Sequence, residues 1–270
     1  MKKAFRYIAI SICGAIMAAV MITAFVSGTQ ARRSIVCSRV EIVIADSTRN
    51  HFVSKEDVQG YLKAGYGDCI GTAADSIDIR RIEEIVDRQS AVLKSQAYMT
   101  NDGTLNISVT QRQPVVRFQK KDGGFYADAE GYIFPLQRSF ASHVQIVDGE
   151  IPLAADSGYK GSIEAPEEKA WFESIMKVVN HMETDKDWKG KIVQISVGND
   201  GDLTLVPRDG NEKFLFGQPS DIAEKFRKME KYYTHIIPAR GNGYYTSVDL
   251  RFRGQIVCRQ DNRQRINRYE

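Results

Sequence analysis

Residues 92–109, VLKSQAYMTNDGTLNISV, decide the reading of the first half of this chain. Val92 to Tyr98 suits a strand, Asn101-Asp102-Gly103 a turn, and Leu105, Ile107 and Val109 alternate as one face of a second strand. Asp-Gly between two alternating runs is a strong hairpin signal, because only a residue tolerant of positive φ closes a turn whose twist matches the strands. Upstream, Ile79, Ile82, Ile85 and Val86 recur at helical spacing, with Arg80, Arg81, Glu83 and Glu84 opposite them. Before that helix, Ser54 precedes Lys55-Glu56-Asp57 as a capping-box-like start. Val58, Tyr61 and Leu62 make its apolar stripe, and Gly65 is a plausible stop. From Ile35 to Ile44 the residues Val36, Val40, Ile42 and Ile44 fall at even spacing, as in a half-buried strand. The order is therefore β-α-α-β-β, two helices on one face of a small sheet, expected over residues 35–112.

After Pro114 the character changes, and a second domain is expected over 113–259. Val115–Phe118, Phe125-Tyr126, Tyr132–Phe134, Lys191–Val197, Leu203–Val206 and Lys213–Phe216 read as strands separated by Gly/Asn/Asp turn clusters. Two helices interrupt them, one carrying Trp171, Ile175, Val178, Val179 and Met182, the other starting at Ser220 and carrying Ile222, Phe226, Met229 and Tyr233. Tyr244–Phe252 and Gln255–Arg259 are expected to close the domain as strands around Arg253-Gly254. Residues 260–270 hold almost no apolar side chain and read as a solvated tail. The fold class is α+β, with the second domain a mostly antiparallel β domain carrying two helices.

The amino terminus sets the expected location. Tyr7 to Val26 carry no charge, with Lys2, Lys3 and Arg6 before them and Arg32, Arg33 and Arg39 after. At 1.5 Å per residue such a helix is about 30 Å long, the thickness of a bilayer's hydrocarbon core. The expected layout is a cytoplasmic tail at 1–6, a transmembrane helix at 7–26 and a linker at 27–34. A cleaved secretory signal is the competing reading. It would need a shorter apolar stretch, and Thr29-Gln30-Ala31 is only a fair cleavage site. A short basic tail favours an orientation with everything after Gln30 outside the cytoplasm.

Composition narrows the function classes. A net charge of +3 on 270 residues argues against nucleic acid, which calls for clustered Lys and Arg. Of the 4 cysteines, Cys13 falls in the expected span, while Cys37, Cys69 and Cys258 are widely spaced without a CxxC pair. A Cys37–Cys69 disulfide is open in an oxidising compartment, with free buried thiols the favoured state. His51, His143, His181 and His235 have no second histidine or cysteine at ligand spacing, so neither a metal nor another cofactor is expected. There is no GxSxG elbow, phosphate-binding glycine loop or dinucleotide fingerprint. Carboxylate pairs such as Asp200/Asp202 and Glu83/Glu84 read as solvated; Arg112 is open to partner binding, with an inter-domain ion pair or a solvated side chain the commoner explanation. No catalytic residue is assigned, and elimination favours a binding or scaffold protein over an enzyme.

Three stretches carry a family resemblance. Residues 105–118, LNISVTQRQPVVRF, look like a strand that ends in an acidic-or-Gln, Arg, x, Pro step into a second domain. Residues 125–135, FYADAEGYIFP, are similar to an aromatic, Asp, x, x, Gly hairpin, and Val248-Asp249-Leu250-Arg251-Phe252 matches a Val-Asp-Leu-Arg-aromatic strand. In this order the chain resembles the FtsQ/DivIB bacterial cell-division proteins. The resemblance implies a POTRA domain next to the membrane and a β domain beyond it, at the division septum. It implies FtsB- and FtsL-type single-span proteins as partners, with a partner strand added to the last strands of the β domain. Carried over, the contact segment is Arg251, Phe252, Arg253, Gln255, Ile256, Val257 and Cys258, with Arg251 and Phe252 as anchors. The best-known members have tyrosine where Phe252 stands and tryptophan near Cys258, so here the main-chain mode is expected rather than each side-chain contact. The runner-up is a membrane-anchored envelope enzyme acting on cell-wall polymer, which would need a carboxylate or thiolate with a polar partner in a cleft. A POTRA-bearing outer-membrane transporter is excluded, because no long series of roughly ten-residue alternating strands follows.

Overall fold

The computed structural model describes residues 12, 14–24, 35–46, 51–137, 140–156 and 158–260. Residue 12 and residues 14–24 are helical and exposed. Among the described residues no helix is long and apolar enough to cross a membrane. The rest of the expected 7–26 span, the 1–6 tail, the 27–34 linker and residues 261–270 lie outside the described residues. The chain divides into two units, Met1–Gln111 and Arg112–Glu270.

The smaller unit has the β-α-α-β-β order that the 92–109 hairpin and its flanks dictate. Strands β1 (Arg39–Ile44), β2 (Val92–Met99) and β3 (Thr104–Gln111) form a sheet ordered β1-β3-β2, with helices α1 (Lys55–Gly65) and α2 (Ile79–Asp87) between β1 and β2. β2 and β3 pair antiparallel across the tight turn, whereas β1 and β3 are parallel, as a connection long enough to hold two helices permits. Ser54 caps α1, and Ser54 and Asp57 complete a reciprocal capping box. Gly103 adopts φ +81° and the Val36 carbonyl lies where a Cβ would project, so this turn position requires glycine. Ile42, Val58, Leu62, Ile82, Val86, Leu105, Ile107 and Val109 fill the space between sheet and helices. Each such fully buried aliphatic side chain stabilises the fold by about 1.5–3 kcal/mol relative to exposure.

The polar face of α2 does more than meet water. Asp87 accepts from the Ser95 N–H at 2.6 Å, and Glu83 accepts from the Ala97 N–H at 2.7 Å. The solvated role expected for Glu83 is therefore corrected: it satisfies the Ala97 N–H of β2 and, with Asp87, blunts that sheet edge. Gln111 closes the unit at the other end. Its side chain accepts from the Val53 N–H at 2.8 Å and donates to Asp46 at 3.2 Å. Cys37 and Cys69 are buried free thiols.

The larger unit is a nine-stranded sheet ordered β12-β11-β10-β9-β8-β7-β4-β5-β6. Its elements are β4 (Pro114–Lys120), β5 (Gly123–Asp128), β6 (Ile133–Pro135), β7 (Gln145–Gly149), α3 (Pro166–Thr184), β8 (Ile192–Val197), β9 (Leu203–Pro207) and β10 (Lys213–Gly217). Then follow α4 (Ile222–Lys231), a π-helical turn (Tyr232–Ile236), the short α5 (Ile237–Arg240), β11 (Ser247–Asp249) and β12 (Val257–Arg259). The sheet is mixed: β4–β7, β7–β8 and β10–β11 are parallel and the other joints antiparallel. β7 is absent from the sequence reading because Gln-Ile-Val-Asp-Gly is short and turns only Val147 into the apolar core. Its flanking strands hold it by main-chain pairing. The helix that starts near Ser220 also runs further than its apolar stripe indicates, through the π turn to Arg240.

The core packs α3 and α4 against one face of this sheet. Phe118 stacks on Phe125 at 5.1 Å and meets Phe172 at 5.6 Å, while Ile175, Val178, Val179 and Met182 line α3. Phe214, Phe216, Phe226 and Tyr232 fill the other end under α4. One edge, β6, is met beyond its strand by an antiparallel bridge in which the Ile133 and Gly161 amides and carbonyls exchange bonds at 2.8 and 2.9 Å. At the opposite edge, β12 pairs only with β11 among the described residues.

Candidate partner-binding edge

The β11–β12 hairpin is shorter than the sequence suggests. The strands are Ser247–Asp249 and Val257–Arg259, paired Ser247↔Arg259, Val248↔Cys258 and Asp249↔Val257. Residues 251–256 form the connecting turn, where Gly254 takes φ +69°. The expected continuous strand from Gln255 is thereby corrected: Val257 and Cys258 lie on the edge strand, and Arg251, Phe252, Arg253, Gln255 and Ile256 lie in the turn that leads to it. Phe252 is 50% exposed, an unusual position for a large ring. Arg253 and Gln255 are exposed too, whereas Ile256 and Cys258 pack partly against the core. Burial pushes the Cys258 thiol up, so it stays protonated at neutral pH.

The turn is fixed from beneath by groups that the sequence reading did not single out. The buried Lys228 on α4 donates its ammonium to the carbonyls of Leu250 at 3.1 Å and Phe252 at 2.7 Å. Its third partner is Glu224, one helical turn earlier, at 3.1 Å. The bond from Lys228 holds the Glu224 carboxyl below the usual range. A lysine and a glutamate four residues apart read as a surface helix pair from sequence; only the chain trace brings the β11–β12 turn over them.

Arg251 is held from its own strand end. Its Nε and Nη2 donate to the two carboxylate oxygens of Asp249 at 3.0 and 2.8 Å, and Nη1 donates to Asp202 at 3.2 Å. The aliphatic stem lies over Gly217, where a side chain would collide with it. Arg251 is therefore positioned within the chain as a bidentate partner of Asp249, and the solvated reading of Asp202 is corrected. The Asp249 bonds push the guanidinium up, and the same bonds lower the Asp249 carboxyl from its ordinary 3.8. The sign follows from a folded-state value below the unfolded one. The pair contributes its full stability above pH 3.8 and loses it as pH falls through the lower folded-state value. In an acid titration followed by amide exchange, residues 250–256 should stay protected past the ordinary Asp midpoint and open below it. Asp249→Asn should remove that acid step, and an unchanged step in the variant would refute the assignment.

A second ion pair joins two of the sequence stretches that carry the family likeness. Arg112 Nη1 donates to Asp128 at 2.8 Å, and the guanidinium lies 3.5 Å from the centroid of the Tyr132 ring. Asp128 also accepts from the Tyr132 N–H at 2.8 Å, which fixes the β5–β6 turn. Arg112 is thus ion-paired rather than solvated, and both partners lie in the larger unit.

Among the described residues no group of three or more His, Cys, Asp or Glu is arranged to hold a metal ion. The arrangement offers an open sheet edge beside an exposed aromatic ring on a braced turn. That is the chemistry of main-chain recognition, in which unpaired amides and carbonyls supply affinity and alternate side chains supply register. A search of curated proteins gave no match. Residues 35–110 match the family profile described as a POTRA-like domain. Residues 113–259, more than half of the chain, match the one described as FtsQ/DivIB, C-terminal related. With both profiles in this order, and the second covering more than half of the chain, the chain belongs to the FtsQ/DivIB family.

Proposed function

We propose that this chain is a non-enzymatic scaffold of the bacterial division machinery that receives a strand from an FtsB- or FtsL-type single-span partner along β12. Membership of a cell-division family supports the scaffold role. The observation that carries the binding mode is the open outer side of β12 among the described residues, next to the exposed Phe252 ring on a turn braced by Lys228 and Glu224. In this reading residues 7–26 anchor the chain in the cytoplasmic membrane, the two units lie outside the cytoplasm at the septum, and partner binding helps control septal cell-wall synthesis. Val257 and Cys258 supply main-chain pairing, Phe252 supplies an apolar contact, and the turn residues Arg251, Arg253, Gln255 and Ile256 border the incoming strand.

Successive amides of a strand point to opposite sides, so of Val257 and Cys258 one N–H faces β11 and the other faces outward. Proline at the outward position removes a donor that the native fold does not use. Of Val257→Pro and Cys258→Pro in the full-length chain, the variant that keeps its melting temperature should lose binding to an FtsB-type partner in calorimetry. Phe252→Ala should weaken that binding by about 1–3 kcal/mol without changing the melt. A well-folded proline variant with wild-type affinity would exclude this edge.

A further inference from the structure

Where α4 runs into its π turn, an open cleft of about 430 Å³ separates it from the segment before β8 and the end of β9. Its floor is aromatic. Trp188 is 6% exposed, and Tyr233 stands beside it with ring centroids 6.2 Å apart. Burial, followed by the charge of the buried Glu212 carboxylate, pushes the Tyr233 hydroxyl up, so the phenol is neutral. The mouth carries the exposed carboxylates of Asp187, Asp209 and Glu230 against one exposed amine, Lys191. That amine lies 5.7 Å from the Trp188 ring centroid, so the chain's own cation already sits against the indole at the cleft. The wall residues Tyr233 and Thr234 come from the π turn Tyr232–Ile236. Such single π turns are rare and occur frequently at functional sites.

We propose that this cleft receives a cationic side chain, arginine or lysine, carried by an extended basic segment of another polypeptide. The charge balance of the mouth selects the sign of the ligand. Aromatic faces favour a cation with a planar or greasy stem over a bare metal ion. An anionic or purely apolar ligand would leave three carboxylates unmatched. The cleft uses none of the groups that brace the β11–β12 turn, so the two sites stand or fall separately.

The chain has 2 tryptophans, so Trp171→Phe leaves Trp188 as the sole indole reporter in the solubilised full-length chain. The probe is the peptide acetyl-Gly-Ser-Arg-Ser-Gly-amide, with its citrulline counterpart as the neutral control. The arginine peptide should give saturable Trp188 fluorescence changes that weaken with added salt, and the citrulline peptide should not. Asp209→Asn with Glu230→Gln should weaken binding roughly tenfold, the scale of two screened ion contacts. Lys191→Gln should tighten it by roughly threefold, because the competing internal cation is gone. Equal responses to both peptides, or weaker binding in Lys191→Gln, would overturn the proposal. Binding seen only after truncation beyond Gln260 would also overturn it, by assigning the cleft to the chain's own basic tail.

Discussion

Arg112→Ala is expected to destabilise the Arg112–Glu270 unit by about 3–5 kcal/mol, the scale for stranding one partner of a buried ion pair. Asp128 is 2% exposed, and its carboxylate would keep the Tyr132 N–H but lose its only cation at 2.8 Å among the ion pairs described. The Tyr132 ring would lose the guanidinium stacked 3.5 Å away, and the hairpin between β5 and β6 would lose its brace. Arg112→Lys should recover part of the loss, since an ammonium restores charge but neither the fork nor the stacking. The double change Arg112→Ala with Asp128→Ala should cost less than the sum of the single changes, because it leaves no orphan charge. Thermal melts of the three variants test this. An unchanged transition for Arg112→Ala would show that water replaces the guanidinium without cost.

The second large effect is expected at Lys228. Lys228→Met keeps the length and apolar stem of the side chain but removes an ammonium that serves the Leu250 and Phe252 carbonyls and Glu224. Hydrogen bonds to a charged donor are worth about 1.5–3 kcal/mol each, and the part-buried Phe252 carbonyl can recover water more readily than the buried Leu250 carbonyl. A net loss of about 2–3 kcal/mol follows. Its signature is local: amide exchange should accelerate at Gly254 and Gln255 before the rest of the unit responds. Partner binding should fall with it, although Lys228 lies beneath the proposed contact. Fast exchange in the turn with undiminished partner affinity would separate the brace from the binding site.

The smaller unit was legible because its signals are local. A capping box, an Asp-Gly turn and two apolar periods each act over a few residues, and together they specify β-α-α-β-β. The larger unit was legible wherever a strand alternates and illegible where the neighbours define it. β7 sits between two parallel partners and contributes one core side chain, Val147, so nothing in residues 145–149 announces it. The hairpin at the carboxy end was read as longer strands because Tyr244–Phe252 is apolar enough to alternate. What ends β11 is the Arg251–Asp249–Asp202 cluster, and one of its members is remote in sequence. The roles of Glu83, Asp202, Arg112 and Lys228 share this cause. Each charged side chain satisfies a group that only the tertiary trace brings near, and sequence spacing alone makes such residues look solvated. The proposed partner segment shows the same division. Its location at the end of the chain came from resemblance, while the split between braced turn and edge strand needed coordinates.

The two ends of the nine-stranded sheet have unequal valence. β6 already exchanges main-chain bonds with Gly161, whereas β12 has a free outer side among the described residues. Head-to-tail growth of sheets into filaments needs two receptive margins on every subunit. With one, any addition is terminal: a strand that docks on β12 caps the sheet, and two copies that met there would form a closed pair with no site for a third. If a strand docks on β12 as proposed, this sheet takes one strand per copy and does not polymerise.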